Sequence, residues 1–182
     1  MKQLNWLDKI ITSLGAIGLI IWVGMSFART IISYDLYIPG TLHFKAYLEP
    51  MQNQTIHLIS NLTVYADIAY LLMIFTTIIL TVRFINNFKK NGWMFMSAVL
   101  MILTIIPYAY VLYLDFNFGV AVTIYDAGFW SYAVQHYLKA KYSTFSVLEP
   151  MSYLSAITSV VIMIFQPLKN VNHITTTSEN KQ

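Results

Sequence analysis

The stretch "LTVYADIAYLLMIFTTIILTV", residues 62–82, decides the class of protein to which this chain belongs. It carries one charged side chain, Asp67, and a helix needs about 20 mostly apolar residues to cross the hydrocarbon core of a bilayer. Three further stretches have the same character, and they cover residues 10–28, 93–114 and 153–168. The sequence therefore predicts an all-α integral membrane protein built as a bundle of four transmembrane helices.

The composition of the whole chain indicates lipid as its solvent. Of the 182 residues, 57% are hydrophobic and 10% are charged, whereas a soluble domain carries about 25% charged residues. The net charge of +3 is small and scattered, which argues against nucleic acid as a partner. Cysteine is absent, so disulfides, thiolate metal sites and cysteine nucleophiles are excluded. We therefore predict the lipid bilayer, and not nucleic acid, as a partner.

The basic residues orient the four spans. Seven of them fall in the N-terminal segment, the loop 83–92 and the C-terminal segment: Lys2, Lys9, Arg83, Lys89, Lys90, Lys169 and Lys181. The positive-inside rule assigns these segments to the cytoplasm and the loops 29–61 and 115–151 to the outer side. We predict one transmembrane domain over residues 1–170, a disordered polar cytoplasmic tail over 171–182, and a bacterial inner membrane as the location. The alternative of a signal peptide cleaved after Ala28 would leave three spans.

The two outer loops carry the same blocks in the same order. Tyr-Asp stands at 34–35 and 125–126, a block led by histidine at 43–47 and 136–142, and Leu-Glu-Pro-Met at 48–51 and 148–151. This order predicts a two-plus-two parallel duplication of span, outer loop and span. Spacings of three and four residues predict an amphipathic interfacial helix whose apolar face holds Phe129, Tyr132, Ala133, His136, Tyr137 and Ala140, with Lys139 and Lys141 opposite. A shorter helix of this kind is predicted over 42–50.

Proline marks three structural joints. Glu49-Pro50 and Glu149-Pro150 are predicted to start the helices that lead into spans two and four, because proline suits the first helical turn and glutamate suits its positive end. Pro107 lies inside the third span, where it frees the carbonyl of Leu103 and predicts a kink.

Asp67 is the strongest candidate for a ligand-binding or proton-binding group. An acid inside a span normally faces the bundle interior, where it pairs or carries a proton or ligand. Thr63 and Tyr70 share its helix face, so a hydroxyl or phenol is expected to satisfy it. The alternative is a structural acid that is hydrogen-bonded near the interface. The remaining candidates are Asp35, His43, Asp126, His136 and Tyr70, whereas Asp115 is expected to be an interfacial cap.

The sequence gives little support for a bound cofactor. The histidines show no close ligand spacing, so no metal site is predicted. No span contains a histidine that could be an axial ligand, which argues against haem. Tyr108, Tyr110 and Tyr113 line the outer half of the kinked third span. They suit a quinone headgroup or a polar ligand, and they also suit interfacial anchoring, which is the more common use.

The chain resembles the DoxX-like small membrane proteins in three features: the four-span plan, "WVG" at Trp22–Gly24, and a Tyr-Asp pair after the first span. That resemblance implies a subunit of a membrane oxidoreductase that acts with quinones. It covers the architecture and a handful of residues, and a lysine-phenylalanine pair of some relatives is replaced here by Phe27-Ala28-Arg29. No functional residue is carried over from it.

Three functional hypotheses follow. The leading one is an accessory subunit or binding module of a larger membrane assembly, with an outward-facing site and with other membrane subunits or a second copy as partners. Two observations favour it: the absence of a catalytic motif, and the small-residue spacings Gly24/Ala28, Ser152/Ala156 and Ser155/Ser159. No enzymatic activity of its own is predicted. The second is a redox, quinone-interacting or transport protein that uses Asp67. The third is an outward-acting enzyme with Glu49 and Glu149 as a carboxylate pair.

Overall fold

The computed structural model describes residues 5–39, 41, 43–45, 49–88, 92–144 and 146–165. Six α-helices make up most of these residues: α1 (Trp6–Tyr34), α2 (Glu49–Phe88), α3 (Gly92–Leu103), α4 (Ile105–Thr123), α5 (Tyr132–Lys139) and α6 (Leu148–Phe165). A π-helical turn covers Ala140–Thr144. The described residues form no strand beyond an isolated antiparallel bridge between Tyr37 and Phe44. The all-helical prediction is confirmed.

Four helical stretches are long and apolar enough to cross a membrane. They are Trp6–Tyr34, Met51–Asn86, Gly92–Thr123 and Leu148–Phe165, and α3 and α4 together form the third. Their large apolar side chains are widely exposed, as on a surface that faces lipid. The fold is therefore that of a small helical membrane protein with four spans. Residues 166–168 of the predicted fourth span and the predicted tail 171–182 lie outside the described residues.

Helices α1 and α2 pack antiparallel in a regular register. Four contacts recur at seven-residue steps along α1: Asp8 with Arg83, Gly15 with Thr76, Trp22 with Tyr70, and Arg29 with Thr63. A Cβ atom at Gly18 would lie 2.9 Å from the carbonyl oxygen of Ala69. Glycine at that position therefore allows the two backbones to approach closely.

Two of these contacts mark the limits of an apolar slab. Arg29 follows Asp8 by 21 residues on α1, and Arg83 follows Thr63 by 20 residues on α2. At about 1.5 Å per residue, the level of the Asp8–Arg83 contact is therefore about 30 Å from the level of the Arg29–Thr63 contact. That distance matches the hydrocarbon thickness of a bilayer. Between the two levels the described helices carry one acidic residue, Asp67, and one basic residue, Lys9, which stands directly beside Asp8. Asp67 lies one turn inside the slab.

The third span breaks where Pro107 predicts a kink. Helix α3 ends at Leu103 and α4 begins at Ile105. The Thr104 hydroxyl at the break donates a hydrogen bond to the carbonyl of Met101 at 2.7 Å. It also lies 3.2 Å from the hydroxyl of Tyr70 on α2. Side chains therefore satisfy polar groups that the interruption exposes inside the apolar slab.

The small residues of α6 are used within the bundle. The hydroxyls of Ser97 on α3 and Ser159 on α6 lie 2.7 Å apart. Ser155 donates a hydrogen bond to the carbonyl of Leu100 at 2.8 Å. The face of α6 that was expected to approach a neighbour thus packs on α3 and is not free for a partner subunit. Gly24, by contrast, has open space around its α-carbon.

The second loop forms α5 where an amphipathic helix was predicted, but with a different inner face. Val134, Tyr137 and Leu138 are buried, whereas three residues assigned to the inner face are exposed: Tyr132, Ala133 and His136. The helix begins only after Ser131, whose hydroxyl accepts a hydrogen bond from the backbone N–H of Val134, so Phe129 does not belong to its face. The predicted location at a membrane interface stays a prediction.

Candidate functional site

Four charged side chains converge at the loop end of the bundle, and we call them the buried charge cluster. Arg29 comes from α1, Asp115 from α4, Lys141 from the π-helical turn and Glu149 from the first turn of α6. Each is at most 7% exposed. Two positive and two negative groups make the cluster formally neutral. This balance is what allows charges to remain buried, because a lone buried charge costs several kcal/mol.

Arg29 connects α1 to three other helices at the centre of the cluster. Its Nη1 donates hydrogen bonds to Asp115 Oδ2 at 2.8 Å and to Thr63 Oγ1 at 3.1 Å. Its Nη2 donates to Glu149 Oε1. The planar guanidinium suits this role, because its fork of N–H groups reaches several acceptors at once.

Asp115 has its hydrogen-bonding capacity filled. Its Oδ1 accepts from the Tyr137 hydroxyl at 2.8 Å and from Lys141 Nζ at 2.8 Å. Its Oδ2 accepts from Arg29 and again from Lys141 Nζ, at 3.1 Å. A carboxylate offers about four lone-pair sites, and four hydrogen bonds occupy them. The expectation that Asp115 is an interfacial cap is wrong, because Arg29 and Lys141 supply the charge that permits its burial.

Lys141 was predicted to lie opposite the buried face, and that prediction is wrong as well. Lys141 follows Tyr137 by four residues and Val134 by seven, so helical spacing places it on the buried face that these residues form. Its Nζ lies 3.7 Å from Glu149 Oε2 in addition to its bonds with Asp115. Burial and the nearby Arg29 lower the pKa of Lys141, while the carboxylates of Asp115 and Glu149 oppose this effect.

Two phenols of the second loop support the cluster as neutral donors. Burial and the Asp115 carboxylate raise the pKa of Tyr137 well above its ordinary value. Burial likewise raises the pKa of Tyr142 to about 12, and its hydroxyl donates to Ser33 Oγ at 2.8 Å. Both phenols therefore keep their protons, and the hydrogen bonds that depend on them, at neutral pH.

Apolar packing isolates the buried charge cluster on two sides. One apolar cluster, centred on Trp22, Tyr70 and Tyr108, fills the middle of the bundle. The other, which includes Ile59 and Phe118, lies under the loops. In these surroundings a hydrogen bond is stronger than in water and an unpaired group is more costly.

A cleft between α2 and α4 lies beside the cluster and contains Asp67. Its volume is about 430 Å³, and its lining residues are Val64, Asp67, Ile68, Leu71, Leu112, Asp115, Phe116, Gly119, Val120, Thr123 and Ile124. Several apolar side chains at its edge, among them Ile68 and Phe116, are more than half exposed. Because these residues belong to spans, the cleft opens sideways, toward the lipid phase.

Asp67 accepts a hydrogen bond at Oδ1 from the Tyr108 hydroxyl, at 3.1 Å. The donor comes from α4 and not from Thr63 or Tyr70, the neighbours that the helix spacing indicated. The hydroxyl of Thr63 is used by Arg29 and that of Tyr70 lies against Thr104. The Tyr108 ring in turn packs on Trp22 and Tyr70, with centroid distances of 5.2 and 4.1 Å.

The remaining candidates of the sequence lie apart from the cleft. Asp35 is exposed, and its Oδ1 lies 3.1 Å from Lys45 Nζ. Asp126 is also exposed, and its Oδ1 lies 3.7 Å from His57 Nε2. His43 and His136 are exposed. Among the described residues, no three histidine, aspartate or glutamate side chains stand close enough to hold a metal ion. The side chains of Glu49 and Pro50 lie outside the described residues, so the proposed carboxylate pair stays a prediction.

Sequence reasoning missed Arg29 and Lys141 as site residues. A seven-residue spacing, typical of a buried helix seam, leads from Trp22 to Arg29 and from Tyr108 to Asp115. That spacing was the available signal for the first pair of charges. Lys141 was missed because the inner face of α5 was assigned in the wrong phase, and with Val134 and Tyr137 inside, helical spacing places Lys141 on the same face.

Fold and site together define a small polytopic helical membrane protein with a buried charge cluster and a cleft that opens toward lipid. Comparisons with protein-family models, curated proteins and solved structures find no match for this chain.

Proposed function

We propose that this protein is a ligand-binding module of the membrane that takes up an amphiphilic molecule from the lipid phase in the cleft between α2 and α4. The observation that carries this proposal is a cavity of about 430 Å³ with apolar walls and a carboxylate, Asp67, beside them. Volumes of about 300–1,000 Å³, apolar linings and few polar groups are typical of small-molecule sites. The buried charge cluster next to the cleft holds α1, α4 and α6 together and supports its α4 wall.

The wider setting is also proposed. The positive-inside pattern supports cytoplasmic termini and an outward-facing position for the cleft, in a bacterial inner membrane. The ion pair between Asp8 and Arg83 supports a common side for the N-terminal segment and the loop after α2. Membership in a larger membrane assembly and the two-plus-two duplication remain parts of this proposal. The packing of α6 on α3 leaves the exposed side of α1, around Gly24, as the region to examine for a partner.

Redox or transport chemistry at Asp67 is the second candidate function. The observation that favours it is the contact between Asp67 and Tyr108, whose ring joins the aromatic group of Trp22, Tyr70 and Tyr153 in the middle of the bundle. Under this hypothesis, Asp67→Asn abolishes proton uptake in proteoliposomes. Under the binding-module hypothesis, wild-type proteoliposomes show no such uptake.

Two glycines provide a matched test of the cleft. A Cβ at Gly119, which lines the cleft, or at Gly24, on the exposed side of α1, would meet no other atom within 4 Å. We expect Gly119→Leu to fill the cleft and Gly24→Leu to leave it open, and replacing a helical glycine costs no helix propensity. Mass spectrometry of hydrophobic molecules that copurify in mild detergent should then show a species that Gly119→Leu loses and Gly24→Leu keeps. Equal amounts in both variants would contradict the proposal.

A further inference from the structure

We propose that the ligand of the cleft is a cationic amphiphile, in which a protonated amine on an apolar body pairs with Asp67. This inference rests on the proposed function and names the chemical class that the cleft selects.

The ionisable residues of the lining are both acidic. Asp67 and Asp115 stand among nine neighbours that are apolar or uncharged, and the described lining contains no basic residue. Arg29 and Lys141 balance the charge of Asp115, so an anionic ligand would meet the like charge of Asp67 in an environment of low dielectric constant. A ligand with a positive head is the complementary class.

Asp67 differs from the other acids whose side chains the structure describes in having no basic nitrogen within 4 Å. Asp8, Asp35, Asp115, Asp126 and Glu149 each have an Arg, Lys or His nitrogen within 4 Å. For Asp67 the described residues provide one hydrogen bond, from Tyr108. A carboxylate can accept about four. Acceptor capacity therefore remains for a ligand at Asp67, whereas at Asp115 it is filled.

The position of Asp67 strengthens this requirement. It follows Thr63 by one helical turn and lies about 24 Å from Arg83 along α2, inside the apolar slab. Intramembrane acids pair with another group, and an unpaired one costs several kcal/mol. A cation in the cleft would provide the missing partner.

The walls determine the other half of the ligand. Leu71, Leu112 and Phe116 belong to an apolar surface that opens toward the lipid phase. A long-chain or ring-shaped body would therefore reach the cleft by lateral diffusion in the bilayer. The apolar part of such a ligand would contact these walls, and its charged head would orient it by pairing with Asp67.

Photo-crosslinking tests the charge of the ligand directly. The wild-type protein, in nanodiscs of phosphatidylcholine, is exposed to three diazirine probes with the same alkyl chain and an ammonium, hydroxyl or carboxylate head. We expect the ammonium probe to label peptides of α2 and α4 at the cleft at least about tenfold more than the other two, which corresponds to about 1.4 kcal/mol. Equal labelling by the three heads, or preference for the carboxylate, would overturn the inference.

Substitutions separate this inference from the proposed function. Asp67→Asn should reduce labelling by the ammonium probe to the level of the hydroxyl probe, whereas Asp67→Glu should retain the preference. If Gly119→Leu removes labelling by all three probes while their heads make no difference, the cleft binds amphiphiles but does not select cations. If Gly119→Leu leaves labelling by all probes unchanged, the proposed function fails as well. The comparison of heads on the wild-type protein needs no variant to fold.

Discussion

The two loops predicted to face outward each carry a lysine that pairs with an aspartate, in opposite environments. In the second loop Lys141 is 4% exposed, and its ammonium lies 2.8 Å from Asp115, which is itself buried. In the first loop Lys45 lies 3.1 Å from Asp35, whose side chain is 84% exposed. Both lysines lie in the blocks led by His43 and His136. One loop thus forms a buried ion pair and the other a surface pair.

The difference follows from what lies beneath each loop. Lys141 enters the bundle at the level of Arg29, Asp115 and Glu149, whose formal charges sum to −1, so it completes a neutral cluster. Lys45 has a partner at the surface, where water screens the interaction and such a pair contributes about 0–1 kcal/mol. Removing one member of a buried pair costs far more, because its partner is left as an uncompensated charge.

Loss of Arg29 is expected to lower the free energy of unfolding more than any other change in the buried charge cluster. Arg29→Gln leaves two buried carboxylates with one cation, and we expect the free energy of unfolding to fall by about 3–5 kcal/mol. Titration with SDS in mixed micelles, followed by tryptophan fluorescence, measures it. Lys45→Gln is the control, because Lys45 pairs with Asp35, whose side chain is 84% exposed. Equal losses in the two variants would contradict the role given to the buried charge cluster.

Lys141 and Lys45 give the most direct comparison of the two loops. We expect Lys141→Met to lower the free energy of unfolding by about 3 kcal/mol, and Lys45→Met by less than about 1 kcal/mol. Adding Glu149→Gln to Lys141→Met restores a neutral cluster of Arg29 and Asp115, so the double variant should lose less than the sum of the two single losses. The same SDS titration distinguishes these outcomes, and strict additivity would show that the cluster is not one electrostatic unit.

Two tyrosines of α5 sharpen the comparison at the level of one hydrogen bond. Tyr137→Phe removes the phenol that donates to Asp115 but keeps the ring, which stacks on Phe118 at a centroid distance of 4.0 Å. We expect a loss of about 1.5 kcal/mol, as for hydrogen bonds to charged groups. Tyr132→Phe, on the same helix but 84% exposed, should have no measurable effect. A loss in Tyr132→Phe equal to that in Tyr137→Phe would argue that the phenol of Tyr137 is not used in the cluster.

The sequence predicted the parts of this fold that depend on local chemistry. Apolar length alone identified four spans, and the break in the third span lies one turn before Pro107. Helix α2 begins at Glu49 and α6 at Leu148, each at a copy of Leu-Glu-Pro-Met. Asp67 was identified as the acid that needs an explanation, because charge inside a span is costly wherever the span packs.

The partners of these residues could not be predicted in the same way. Asp67 finds its donor in Tyr108, 41 residues away, and Asp115 finds Arg29, 86 residues away. Helix spacing indicates only neighbours on the same helix, and it therefore pointed to Thr63 and Tyr70. The phase of α5 was also misjudged, since the pattern included Phe129, which precedes the cap at Ser131 and is not part of the helix.

By itself, the sequence determined that this chain is a four-span helical membrane protein with one acid deep enough to matter, because transfer of side chains into lipid is a property of each residue and its near neighbours. Only the tertiary structure decided which charges are buried together and where a cleft opens. Those features depend on the register between helices, which brings Arg29, Asp115, Lys141 and Glu149 to one level and leaves Asp67 beside open space. A buried charge is tolerated when a side chain of opposite charge on another element lies beside it, and helix packing determines whether it does.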